Sequence, residues 1–326
     1  MRFGAVVLTL IILVGTASRA APEPAESGSY AVGMTTRELV RASSTTGHPR
    51  TLVTTIWYPA TTSDVDAPAD VAGAPYPLVI LSHGWTSSPS NYSQLATYVA
   101  SYGFVVAAPL HPDCGQPCEL QYARNKADHP DALANRPADV SFVIDQLVDL
   151  ESNGDALFAG LADTSRVGLM GHSTGGWTVL TTAETDSRFR AVLAMAPTER
   201  LSAWQTVVDG AASLNGAVLL LVGQRDTHAT FSLVDRMFWA LSARSDPSPS
   251  MEVVFPRAGH WIYIDFCPSG DPNCSADRLP EEQGQNYVRH FAAAFLLHFL
   301  ADDTRFDTWL DPTVATGDPE FQIVQH

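Results

Sequence analysis

The stretch Arg166-Val-Gly-Leu-Met-Gly171-His172-Ser173-Thr174-Gly175-Gly176-Trp177 decides the fold. An uninterrupted apolar run leads into a G-x-S-x-G pattern, and an amphipathic stretch from Gly175 to Thr185 follows. A buried strand that turns sharply into a helix needs small residues on both sides of the turn, and Gly171 and Gly175 supply them. Ser173 then sits at the crest with its hydroxyl lifted above the end of a sheet. The N-terminus of the following helix is aimed at the same point, where developing negative charge is stabilised.

Similar apolar runs recur on either side: PLVILSH (77–83), FVVAAP (104–109), RAVLAMAP (190–197), AVLLLVG (217–223) and MEVVFP (251–256). They do not alternate with polar residues, as suits strands covered on both faces. Amphipathic stretches at 91–102, 137–150, 175–185, 229–243 and 281–300 separate or follow them, and Thr51 to Tyr58 (TLVTTIWY) adds an earlier strand. Strand alternating with helix predicts an α/β protein with a doubly wound, mostly parallel sheet and helices on both faces. In the last helix, His290 and His298 fall at helical spacing with aromatic residues and read as packing or surface positions.

The chain starts with Met1 and Arg2, then an apolar run from Ala5 to Val14 and a small-residue zone ending at Ala20. That order reads as a secretory signal peptide over 1–20, with an uncleaved anchor as the alternative. Residues 21–29 read as a linker and 30–326 as a single α/β domain, secreted to the outside or the periplasm. The formal charge of −16 opposes nucleic acid or an anionic membrane as partner, and no stable membrane insertion is expected. A monomer without cofactor or metal is the expectation. Cys114 with Cys118 and Cys267 with Cys274 lie in two close pairs, which in an exported chain favours two local disulfides. Sequence alone allows three connectivities, and a zinc site is the weaker reading because the CxxC spacing is absent.

A serine hydroxyl is a poor nucleophile without a base, and in this topology the order is Ser, then Asp or Glu, then His. AVLLLVGQRD ends in Asp226, and MEVVFPRAGH ends in His260. Asp226 also has a capping reading for the helix near Ala229, while Asp145 and Asp235 lie inside helices as solvated residues. His228 precedes the final strand, and His111 and His129 precede Ser173, so none of the three fits the order. Oxyanion donors are expected from the amides of Thr174, next to the nucleophile, and Trp85 in His83-Gly84-Trp85-Thr86. His83 reads as a loop-packing residue.

On TLVTTIWYPA, LSHGW, SYGFVVAAP, GHSTGG, VGQRD, AGHW and DDTRFDTWL, the chain from about Tyr30 to Leu310 resembles the α/β-hydrolase superfamily. The resemblance is to its platelet-activating-factor-acetylhydrolase-like and dienelactone-hydrolase-like bacterial branch, with cutinase-like polyesterases nearby. It implies Ser173 as nucleophile, Asp226 as acid, His260 as base and the Trp85 and Thr174 amides as oxyanion hole. Dienelactone hydrolases carry cysteine where this chain has Ser173. Polyesterases share the aromatic at Trp85 but carry a tryptophan where Ala196-Pro197-Thr198 stands here.

About twenty residues separate RAVLAMAP from AVLLLVG, too few for a large helical lid, so an open site is expected. The resulting expectation is a secreted serine carboxylic-ester hydrolase acting on short-chain or acetyl esters, with Trp85 as a substrate contact. The alternatives are a cutinase-like polyester hydrolase, a non-catalytic secreted binding protein and, ranked below them, a peptidase or amidase. Trp177 is expected to pack beneath the sheet, and 111–136 to overhang the site or to form an inert loop.

Overall fold

A computed structural model describes residues 26–85, 87–112, 130–198, 203–268, 270–274, 279–313 and 320–325. The expected signal peptide, most of the linker, the pair Cys114 and Cys118, and His129 lie outside the described residues. Of the linker, Gly28 donates its amide to Ser101 Oγ at 2.8 Å, so its final residues are already tied to the body of the protein.

Among the described residues nine strands form one sheet: β1 (Ala31–Ala42), β2 (Pro49–Ala60), β3 (Tyr76–Ser82), β4 (Val105–Leu110), β5 (Ala162–His172), β6 (Phe189–Met195), β7 (Ala217–Gly223), β8 (Ser250–Phe255) and β9 (Gln322–Gln325). Their order is β1-β2-β4-β3-β5-β6-β7-β8-β9. The six strands from β4 to β8 are mutually parallel, whereas β1, β2 and β9 join antiparallel at the two edges. The apolar runs are the parallel strands: every residue of β3, β7 and β8 is buried.

Among the described residues six helices connect or flank these strands: α1 (Ser93–Ser101), α2 (Pro130–Ser152), α3 (Thr174–Thr185), α4 (Ala203–Gly210), α5 (Phe231–Ser242) and α6 (Glu281–Ala301). Their apolar faces close the core, as Val140, Val143, Ile144 and Leu147 do on α2. Among its described residues the 196–216 connection holds α4 and one short 3₁₀ turn, with no large lid.

Two sequence expectations shift. Helix α2 begins seven residues before the expected start at 137 and runs through Pro137. A proline inside a helix removes one hydrogen bond, and tertiary contacts of the preceding turn outweigh that loss. Asn135 Oδ1 accepts from the Ser44 amide at 2.7 Å, and Arg50 reaches Asp131. The strands β1 and β9 were not foreseen, because edge strands carry charged or short segments without a continuous apolar run.

The sheet order reverses direction between β3 and β5. At such a switch point the loops leaving adjacent strands diverge to opposite faces and leave a crevice beyond the carboxyl ends. Ser82 ends β3 and His172 ends β5, so the crevice lies between His83-Gly84-Trp85 and Ser173.

Candidate active site

Ser173 occupies the tight turn between β5 and α3 with φ 57° and ψ −122°, a left-handed conformation unusual for a residue with a side chain. Two constraints hold it there. The Ser173 amide donates to the Met195 carbonyl at 2.9 Å, and its own carbonyl accepts from the amides of Trp177 and Thr198. Gly175 must be glycine, since a Cβ there would run into the Ser82 carbonyl.

The structure brings Ser173, His260 and Asp226 together. His260 Nε2 lies 3.0 Å from Ser173 Oγ, and His260 Nδ1 lies 2.7 Å from Asp226 Oδ2. His260 is 2% exposed and Asp226 5%, so the pair works in a medium where Coulomb attraction is strong. The other Asp226 oxygen accepts from the amides of His228 at 2.7 Å and Ala229 at 2.8 Å. The capping geometry weighed for this residue is therefore present together with the histidine contact. One oxygen fixes the loop while the other faces the imidazole.

The rival residues fall elsewhere. Asp145 pairs with Arg188, and Asp235 accepts from Trp239. His111 is buried between Ser82 Oγ and Asp139. His290 packs on Trp309 with ring centroids 3.6 Å apart, and His298 pairs with Asp307. His228 is nearer the centre than its place in the chain suggested. Its ring sits 4.9 Å from that of His260, and its Nε2 faces Asp271 Oδ2 at 3.3 Å.

Sequence reasoning missed three groups of residues that shape the site. First, His172 is buried: its Nδ1 accepts from the Tyr92 hydroxyl at 2.9 Å, and its Nε2 donates to the His260 carbonyl at 3.0 Å. Burial, and then the nearby His260, hold its pKa well below the ordinary imidazole range, so it is a neutral bridge. Second, Arg136 is fully buried and donates to the carbonyls of His83 at 2.7 Å and Gly84 at 3.2 Å. Third, Asn273 reaches the acid loop twice: its Oδ1 accepts from the Thr227 amide, and its Nδ2 donates to Thr227 Oγ1. The only sequence signal among these was the position of His172 inside the motif.

Asn273 stands in a loop closed by the disulfide between Cys267 and Cys274, as expected for that pair. Its backbone also backs the base loop, because a Cβ on Gly259 would meet the Asn273 carbonyl. Trp85 is half-buried beside Arg136, whose guanidinium lies 5.9 Å from the indole centroid. Gly84 lies beside the nucleophile: a Cβ built on it would stand 3.5 Å from Ser173 Cβ. Thr174, fully buried, opens α3, and Trp177 is 8% exposed one turn later. Among the described residues no group of three or more histidine, cysteine, aspartate or glutamate side chains is arranged to hold a metal. No helix among them is long and apolar enough to cross a membrane.

This geometry offers a hydroxyl, a base in line with it and a carboxylate that orients the base, at the mouth of a crevice. Such a set can pass a proton from Ser173 as its oxygen attacks a carbonyl carbon.

A family model described as PET hydrolase-like matches residues 15–232. The chain is 25% identical to a bis(hydroxyethyl) terephthalate hydrolase of Streptomyces coelicolor, over 94% of this chain and 84% of that protein. It is 24% identical to a platelet-activating factor acetylhydrolase of Cavia porcellus, over 77% of this chain and 64% of that protein. A cutinase, est2, of Thermobifida alba is 23% identical over 74% of this chain and 66% of its own length. The chain thus spans just under two thirds of the length of the latter two relatives.

Proposed function

Given that the chain belongs to the PET hydrolase-like family of α/β-hydrolase proteins, we propose that it is a secreted serine carboxylic-ester hydrolase. It forms an acyl-enzyme on Ser173 and acts on short-chain or acetyl esters. The observation that carries this reading is the hydrogen-bonded series from Ser173 Oγ through His260 to Asp226.

In the proposed cycle His260 Nε2 takes the Ser173 proton as Oγ attacks the ester carbonyl. Asp226, hydrogen-bonded to Nδ1, holds the required tautomer and stabilises the imidazolium. The carbonyl oxygen, now negative, meets the amides of Trp85 and Thr174 and the N-terminus of α3. His260 then protonates the leaving alkoxide. A water molecule, deprotonated by the same nitrogen, attacks the acyl carbon and returns Ser173. The described part of the 196–216 connection carries no large lid, and Trp85 offers an apolar wall to the acyl or alcohol group.

A second reading, hydrolysis of polyesters or of the small aromatic diesters released from them, is favoured by the family match and by the Streptomyces relative. Purified protein is to be assayed on nitrophenyl esters of increasing chain length, on a terephthalate diester and on a polyester film. Preference for acetyl to butyryl esters supports the first reading, and sustained release of soluble products from film supports the second. A fluorophosphonate should label the wild type and leave Ser173→Ala unlabelled. Absence of labelling in the wild type would rule out a working serine nucleophile.

A further inference from the structure

The proposed oxyanion donor Trp85 contributes a backbone amide, and a backbone amide cannot be aimed by a rotamer. Its direction is set by the plane of the Gly84–Trp85 peptide. In a trans peptide the N–H and C=O point in opposite directions, so whatever grips the Gly84 oxygen also sets the heading of the Trp85 N–H. The only cis bond among the described residues is Ala74–Pro75, so the Gly84–Trp85 peptide is trans.

The Gly84 oxygen is gripped twice. Arg136 Nη2 donates to it at 3.2 Å, and His83 Nδ1 donates to it at 2.7 Å. The histidine tautomer is fixed by its other nitrogen, since His83 Nε2 accepts from the His111 amide at 2.9 Å. The preceding peptide is clamped at both ends. Arg136 Nη1 donates to the His83 oxygen at 2.7 Å, and the Gly84 amide donates to the Tyr92 hydroxyl at 2.9 Å. Tyr92 is fully buried and donates its hydroxyl hydrogen bond to His172 Nδ1.

A buried guanidinium needs a reason, because removing it from water is costly. Its location is also anchored. One turn along α2, Asp139 accepts from Arg41 at 2.7 Å, from Arg50 at 2.7 Å and from His111 at 3.1 Å. Burial pulls the Asp139 pKa upward, but the hydrogen bonds from His111 and Arg50 outweigh it and leave the group below the ordinary carboxylate range. The fixed charge at Asp139 holds α2 against β1 and β2, and α2 in turn delivers Arg136 to the loop after β3.

We propose that Arg136, with Tyr92 gripping the peptide before it, is the positioning residue that aims the Trp85 amide at the reacting carbonyl oxygen. It acts through the peptide and touches no substrate atom. The proposal rests on the serine-hydrolase reading of Ser173 given above. The positive charge on Arg136 also draws electron density toward the Gly84 oxygen, which makes the Trp85 N–H a stronger donor. Loss of this grip should therefore weaken binding of the tetrahedral species and leave binding of the ground-state ester nearly unchanged.

The test compares wild type with Arg136→Met and Tyr92→Phe on a nitrophenyl butyrate assay. Each is also measured for inhibition by a trifluoromethyl ketone, whose hemiketal oxygen occupies the oxyanion position. Losing one oxyanion donor outright lowers kcat about 100- to 1000-fold. Misaiming one is expected to lower kcat about tenfold to 100-fold in Arg136→Met, with KM within about threefold of wild type. The ketone Ki should rise by the same factor as kcat falls, and the pH dependence of kcat should keep its wild-type midpoint, because His260 is untouched. Tyr92→Phe keeps the buried ring and removes only the hydroxyl that grips the Gly84 amide and His172, and it decides the matter if Arg136→Met does not fold. It should show the same division between Ki and KM at a smaller size. A variant with lowered thermal stability but an unchanged ratio of Ki to KM would assign these residues to folding alone and overturn the proposal. A wild type that cleaves no ester and takes no fluorophosphonate would instead overturn the hydrolase reading, and the proposal with it. An active, labelled wild type with indifferent variants overturns only the role of Arg136.

Discussion

Asp226 divides its two oxygens between a base and a loop, and the two tasks separate in mutation. Asp226→Asn keeps the shape but places an amide against His260 Nδ1, which favours the wrong tautomer. A fall in kcat of roughly 10⁴ is expected with little change in melting temperature. Asp226→Ala also strands the buried amide of Ala229 and the neighbouring amide of His228, at about 1–3 kcal/mol for each donor left unmet. Kinetics combined with thermal melting should therefore show one defect in the first variant and two in the second.

Glu252 raises a different question at the same scale. It is 1% exposed on β8, and its Oε1 has no hydrogen-bond partner among the described residues. Burial, and then the charge of Asp235 on α5, push its pKa up to about 8. The folded protein thus holds this proton more tightly than the unfolded chain, whose carboxyl titrates near 4.5. The stabilising contribution is complete below about pH 4.5 and is lost progressively as pH rises toward 8. Glu252→Gln should flatten the decline of unfolding free energy over that window, by an amount on the order of a few kcal/mol at pH 8. Denaturant titrations at several pH values measure it, and equal slopes in both proteins would exonerate Glu252.

Among the elements, the loop from Cys267 to Cys274 has the longest reach for its size. Through Asn273 it leans on the acid loop at Thr227 and the base loop at Gly259, and through Asp271 it faces His228. Closing so short a loop stabilises the fold by on the order of 2 kcal/mol, through the lost freedom of the unfolded chain. Reduction, or Cys267→Ser with Cys274→Ser, should lower the melting temperature and depress kcat, with Asn273→Ala reproducing the kinetic part alone. Unchanged kcat in Asn273→Ala would show that the loop only fastens the chain.

This loop also marks where the sequence stops speaking. The parallel strands were legible because burial on both faces forces continuous apolar runs, and the turn at Ser173 because its glycines cannot be replaced without collision. The spacing of Asp226 and His260 after β7 and β8 was legible from topology. Asn273 and Arg136 were not, because each acts through contacts between segments dozens of residues apart, and Tyr92 was not, because it ties the nearby Gly84 amide to His172 far along the chain. Arg136 in addition stands before a proline, where a helix reader expects a boundary and not the middle of α2.

For the whole molecule, a formal charge of −16 sets up a long-range field that repels anions and spares neutral esters. With a neutral ester, kcat/KM should hardly respond to salt. With an ester bearing a carboxylate, KM should fall as ionic strength rises and the Debye length shrinks from about 30 Å at 0.01 M to about 10 Å at 0.1 M. Parallel salt titrations of the two substrates test this, and identical responses would argue that the local field at the crevice is not negative.

The last strand has a bearing on solubility. β9 pairs its four residues with Met251 to Val254 of β8, a strand with no exposed residue. Without that cover, a row of unmet amides and carbonyls on an apolar ribbon would face the solvent, an open template for a second chain. Clipping the chain before Gln322, which keeps the buried Phe321 and the Arg257–Glu320 pair, should leave the crevice intact while converting a well-behaved solution into one that self-associates with concentration. Four residues at the far rim of the sheet would then govern how much protein can be kept in a tube.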